Sequence, residues 1–88
     1  MLFELRALYY RRMTTKQRFS KKYRLQLREK DYEPMHVHLV GGEVNATFDL
    51  VTLELVTGNV PRDLLREVKS WLVANQSELI EEWKIWQR

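Results

Sequence analysis

His36 and His38 are the only histidines of this 88-residue chain, and a single residue separates them. A short polar turn, Asp31-Tyr32-Glu33-Pro34, leads into the run Met35-His36-Val37-His38-Leu39-Val40 that carries both. On a strand, residues two apart point to the same side. Imidazole titrates near neutrality, so two of them on one side can give and take a proton in one cycle. Arg24, Arg28 or Lys30 can stabilise charge building up on a phosphorus centre, as positioned cations do. That set describes a metal-independent ribonuclease. It takes His36 and His38 as the functional pair, with Asp31, Arg28 and Lys30 in support, and it asks for no metal and no cofactor. Two other readings use the same residues. His-x-His with Asp31 or Asp49 is a zinc-type donor set. In the third, His36 hydrogen-bonds Asp31 or a backbone carbonyl and fixes the Pro34 turn. Two histidines alone do not separate these readings.

The elements that must hold the pair are legible from periodicity. Tyr23-Arg24-Leu25-Gln26-Leu27-Arg28 alternates apolar and polar, which is the pattern of a half-buried strand. The run from Met35 to Val40 and the run from Glu43 to Asp49 flank Gly41-Gly42, a hairpin signal, because tight two-residue turns need positive φ. A turn on these two glycines sets Leu39 opposite Val44, His38 opposite Asn45 and His36 opposite Thr47. Met35, Val37, Leu39, Val44, Ala46 and Phe48 then share the dry face. His36, His38, Asn45, Thr47 and Asp49 share the polar one, beside Arg24, Gln26 and Arg28. A fourth short strand is expected near Leu53 to Val56. Asn59-Val60-Pro61 reads as a helix start. Leu64, Leu65, Val68, Trp71, Leu72, Leu79, Ile80 and Trp83 continue at helical spacing. One helix from about 61 to 86 is expected, with Ala74 to Ser77 as a place for a kink or break.

At the other end, Leu2, Leu5, Tyr9 and Met13 recur at helical spacing. They predict an amphipathic helix over residues 2–13, either reaching Arg18 or giving way to a basic loop over 14–22. The fold class is therefore α+β: a small antiparallel sheet of three to four strands on a long C-terminal helix, with an N-terminal amphipathic helix. All 88 residues form one domain, in which 1–22 are a basic extension.

Charge is lopsided. Residues 1–30 hold ten Lys/Arg against two acidic side chains; residues 31–88 hold five against ten. The basic third suggests a nucleic-acid or acidic protein partner, met by Arg6, Arg11, Arg12, Lys16, Arg18, Lys21, Lys22 and Arg24. The chain has no cysteine, which excludes disulfides and thiolate metal sites. No apolar run is long enough to span a membrane, and Met1 to Leu5 does not begin a secretory signal. A cytoplasmic protein without membrane contact is the expectation.

From Tyr23 onward the chain resembles the bacterial family called domain of unknown function 4160. Asp31, Pro34, His36 and His38 fit its Asp-His-x-Pro-Pro-His-Phe-His strand motif, while Tyr32, Met35 and Val37 stand where the motif has His, the second Pro and Phe. Gly58-Asn59-Val60-Pro61 fits the Gly-x-Leu-Pro helix start. Trp71 and Glu78-Leu79-Ile80-Glu81-Glu82-Trp83 fit the helix. The resemblance implies the toxin half of a toxin–antitoxin pair, a growth-inhibiting module held inactive by a cognate antitoxin. The first reading of the chain is such a toxin, acting on RNA or the translation machinery. The alternative is a non-catalytic binding module whose basic N-terminal third docks nucleic acid or an acidic partner.

Overall fold

The computed structural model describes residues 13–28 and 34–86. Five strands and one helix follow in chain order: β1 (Met13–Phe19), β2 (Tyr23–Arg28), β3 (His36–Gly41), β4 (Val44–Asp49), β5 (Leu55–Thr57) and α1 (Arg62–Trp86). The strands form one antiparallel sheet in the order β1-β2-β3-β4-β5. The sheet therefore has five strands, not three to four.

The added strand is β1. Residues 13–19 are neither the end of a helix nor part of a basic loop. Two β-branched threonines open the stretch, and β-branching favours the pleated strand. Pairing with β2 outweighs the local helical period that runs into Met13. Residues 1–12, which carry the rest of the expected N-terminal helix together with Arg6, Arg11 and Arg12, lie outside the described residues.

The β1–β2 turn is made without glycine. The Lys22 N–H donates to the Phe19 carbonyl at 3.2 Å, and the two central residues, Ser20 and Lys21, have φ of 52° and 57°. This is the mirror-image turn whose twist suits a hairpin.

The β3–β4 hairpin differs by one step from the expected turn. Gly41 pairs with Val44, so the two loop residues are Gly42 and Glu43. His36 faces Asp49, and His38 faces Thr47. Gly41 stays in the strand because a Cβ there would sit 2.1 Å from the Lys22 carbonyl oxygen of the neighbouring turn. Gly42, at φ 55°, takes the left-handed turn position instead. The partner of each residue moves by two positions. Side chains alternate with period two, so every one keeps its expected face.

Leu25, Leu27, Val37, Leu39, Ala46 and Phe48 are buried on that common face. From α1, Leu64, Val68, Leu72, Leu79 and Trp83 join the same core. They are spaced by four or seven residues, one stripe of the helix. The helix is continuous through Ala74 to Ser77. Its polar residues there make contacts that hold it in place. Gln76 Nε2 donates to the carbonyls of Leu50 and Val51 at 2.7 and 2.9 Å, and Asn75 Nδ2 donates to the Trp71 carbonyl at 2.8 Å. No helix among the described residues is long and apolar enough to cross a membrane.

Non-glycine residues in the left-handed region cost roughly 1–2 kcal/mol each. Replacing Ser20 and Lys21 together by Asn and Gly, the preferred pair for this turn, is expected to stabilise the protein by about 1 kcal/mol. A higher urea midpoint with unchanged slope is the readout.

Candidate functional site

β2, β3 and β4 place their even-numbered side chains, or in β4 the odd-numbered ones, on the face away from the core. Register decides which of these meet. Gln26 lies across from His38, and His38 across from Thr47. Arg28 reaches this row through its own bond to Gln26. The two imidazoles are neighbours along β3, with Gln26 of β2 across from His38. Their centroids are 4.9 Å apart with the rings edge to face at 68°.

His36 is held from three directions. Its Nδ1 lies 2.7 Å from the Pro34 carbonyl oxygen. A carbonyl only accepts, so Nδ1 carries the hydrogen, and in the neutral ring Nε2 carries the lone pair. His38 meets one side of the ring. The Trp83 ring of α1 lies 5.3 Å away, tilted by 55°. Trp83 itself is 1% exposed, so the helix fixes the imidazole from within the core. The bond from His36 to a backbone carbonyl, expected in one of the three readings, is present.

The polar face is less open than a one-sided sheet suggests. Gln26 is 6% exposed although its neighbours in sequence, Leu25 and Leu27, point to the opposite side. Arg28 Nη2 donates to Gln26 Oε1 at a long 3.5 Å, and Arg28 Nε is buried with no hydrogen-bond partner. Buried polar groups without a partner are rare and costly in native proteins.

Residues 23–84 match the family described as Domain of unknown function (DUF4160). The chain belongs to that family. No curated protein and no solved structure matches it significantly. The DUF4160 region holds β2 through most of α1, with Pro34, His36, His38 and Trp83 inside it. β1 precedes the matched residues yet is hydrogen-bonded into the same sheet.

Of the residues singled out from sequence, the structure brings together His36 and His38, and Arg28 bonds Gln26, which lies across from His38. Asp31 and Lys30 lie outside the described residues. Asp49 is turned to its own loop, where Oδ1 accepts from the Val51 and Thr52 N–H groups at 2.7 and 2.9 Å. No group of three His, Asp or Glu side chains among the described residues is arranged to hold a metal ion.

The basic residues divide. Lys16, the extra residue of a bulge in β1, bonds Glu82 at 2.6 Å with both side chains about three-quarters buried, so its charge is engaged within the fold. Arg18 and Arg24 are direct cross-strand partners on the polar face. Lys21 and Lys22 are exposed in the turn beyond them. Two like charges set directly opposite destabilise a strand pair unless an anion relieves them.

Two members of the site were not singled out from sequence. Alternation put Gln26 on the polar face, but its burial came only from the fold. Trp83 gave no local sign, because its contact with His36 spans most of the domain. An asparagine amide places a donor near the Nδ1 position, and a glutamine places it near Nε2. His36→Asn is therefore expected to keep the bond to Pro34, and His36→Gln to lose about 1 kcal/mol relative to it, measured by urea unfolding.

Proposed function

We propose that this DUF4160 chain is the toxin component of a type II toxin–antitoxin system and acts as a metal-independent ribonuclease. The observation that carries the reading is the contact between His36 and His38, with Arg28 bonded to Gln26, the residue across from His38. A guanidinium is a charge-assisted donor of the kind a phosphodiester oxygen accepts.

At 4.9 Å the rings are in contact, so a phosphate approaches them together from one side rather than passing between them. The roles are then unequal. His36, fixed by Pro34 and Trp83, positions its neighbour. His38 takes the proton of the attacking ribose hydroxyl and returns one to the leaving oxygen. Arg28 offsets the charge that develops on the phosphorus oxygens. Asp31 and Lys30 belong to the same proposal as supports. The cognate antitoxin, an acidic protein, covers the basic end of the β1–β2 hairpin in the cytoplasm.

Expression in bacteria tests this directly. His38→Ala is expected to abolish growth arrest and cleavage of total RNA, with cleavage by the wild type unaffected by chelator. His36→Asn is expected to reduce cleavage less than His38→Ala does. Retention of toxicity by a folded His38→Ala protein removes the catalytic reading.

A second reading has its own observation. Arg18, Lys21, Lys22 and Arg24 crowd one end of the sheet, with Arg18 opposite Arg24. That is the arrangement of a non-catalytic module that docks nucleic acid. Its mark is RNA binding without cleavage, with log K falling against log salt at a slope of about −3 for four phosphate contacts. Charge reversal at Lys21 and Lys22 is expected to halve that slope.

A further inference from the structure

Arg18 and Arg24 are direct partners across the β1–β2 pair, which puts their side chains on the same face of the sheet. That face is the polar one. Arg24 precedes Gln26 by two residues on β2, and Gln26 lies across from His38. Arg18 is exposed and Arg24 is half-buried, and neither has a carboxylate partner among the described residues. Lys16, on the same strand as Arg18, does have one in Glu82. Two guanidiniums left directly opposite each other repel. Their planar forks of N–H donors match the oxygens of a phosphate, and one phosphate between them relieves the repulsion.

Register fixes how far this pair lies from the imidazoles. Gln26 is across from His38, and Arg24 is across from Val40. Val40 follows His38 by two residues on β3 and so shares its face. The arginine pair is therefore displaced from His38 by about 7 Å along the strands. Neighbouring phosphates of an extended nucleic-acid strand are separated by a similar step. Gln26, Val40, Asn45 and Thr47, which share this part of the face, carry no charge, so nothing anionic among them opposes a phosphate. Lys21 and Lys22 are exposed in the turn beyond the pair, where such a strand continues.

We propose that Arg18 and Arg24 form a second phosphate subsite for the RNA strand whose scissile phosphate meets His38, and that the substrate is an extended single strand rather than a duplex. This rests on the ribonuclease reading. It makes the imidazoles and the basic end of the sheet one track, of the kind that follows a single-stranded backbone by its charge. The preference against duplex has a chemical reason as well. An A-form helix holds the 2′-hydroxyl out of line with the leaving oxygen of its own phosphate, so a strand cut by that hydroxyl must be free to extend. An acidic antitoxin seated on the same arginines competes with the substrate for them and blocks the track without touching the imidazoles.

Short deoxyribonucleotide strands with a single ribonucleotide test this. Only the ribose carries the attacking hydroxyl, so the scissile phosphate is fixed. A set with each base at the ribose and at the following nucleotide covers base preference. In each strand the phosphate next to the scissile one, on the 5′ or the 3′ side, is replaced by a neutral methylphosphonate. With the wild type, KM is expected to rise about tenfold for one of the two sides at similar kcat, the loss of one charge-assisted contact. With Arg18→Gln/Arg24→Gln, KM on the unmodified strand is expected to be raised to a similar extent. The methylphosphonate is then expected to add less than about a further twofold, because the two changes remove the same contact. Urea unfolding checks that both proteins are folded.

An equal rise from the methylphosphonate in wild type and variant overturns the proposal. So does a wild-type KM that neither replacement changes, or equally fast cutting of the unmodified strand after annealing to its complement. Failure to cut any unmodified strand by a wild type that cuts total RNA overturns it too. In each of these cases the ribonuclease reading stands. A folded wild type that cuts no RNA removes that reading itself, and this proposal with it.

Discussion

Leu25, Leu27, Val37, Leu39, Ala46 and Phe48 leave the sheet on one side and meet a single stripe of α1, from Leu64 to Trp83. This contact is the constraint from which the other features follow. It gathers the apolar residues on one face, so the alternating residues of the same strands must collect on the other. His36, His38, Gln26 and Arg28 are neighbours because Leu25, Leu27, Val37 and Leu39 are. A helix of 25 residues reaches about 37 Å. It therefore begins after β5 and ends beside β1, where Glu82 meets Lys16 and Trp83 meets His36.

The same contact explains why the polar side is not simply a wet surface. Trp83 belongs to the core and touches His36 of the polar row, so the two sides of the sheet are mechanically connected at the start of β3. A shift of α1 along the sheet would be felt by the imidazole pair. Pro34 contributes separately, through its carbonyl. Between them, His36 has little freedom to reorient, and His38, in edge-to-face contact with it, inherits that order.

Much of this arrangement was legible in the sequence because it depends on parity alone. Alternation in residues 23–28 and 35–49 assigned every side chain to its observed face, even though the hairpin turn falls at Gly42-Glu43 instead of Gly41-Gly42. The misplaced turn displaced partners by an even number of residues, which parity does not register. The reason for the displacement is a close approach by the Lys22 carbonyl, from a turn about twenty residues earlier. β1 was missed for a related reason. Leu2 to Met13 carries a helical period, whereas the strand that follows is selected by pairing with β2, and the partner is not encoded in the stretch itself.

The sequence by itself determined the α+β class, the apolar and polar faces of the hairpin, the helix over 62–86 and the common side of His36 and His38. These are consequences of short-range periodicity, which survives small errors of register. Only the tertiary structure decided that Trp83 packs on His36, that Lys16 is neutralised by Glu82, that Gln26 is buried and that Arg28 Nε lacks a partner. Each of these depends on the path of the chain between elements, and on how far α1 reaches over the sheet. Such distances are set by packing of the whole domain rather than by any local pattern.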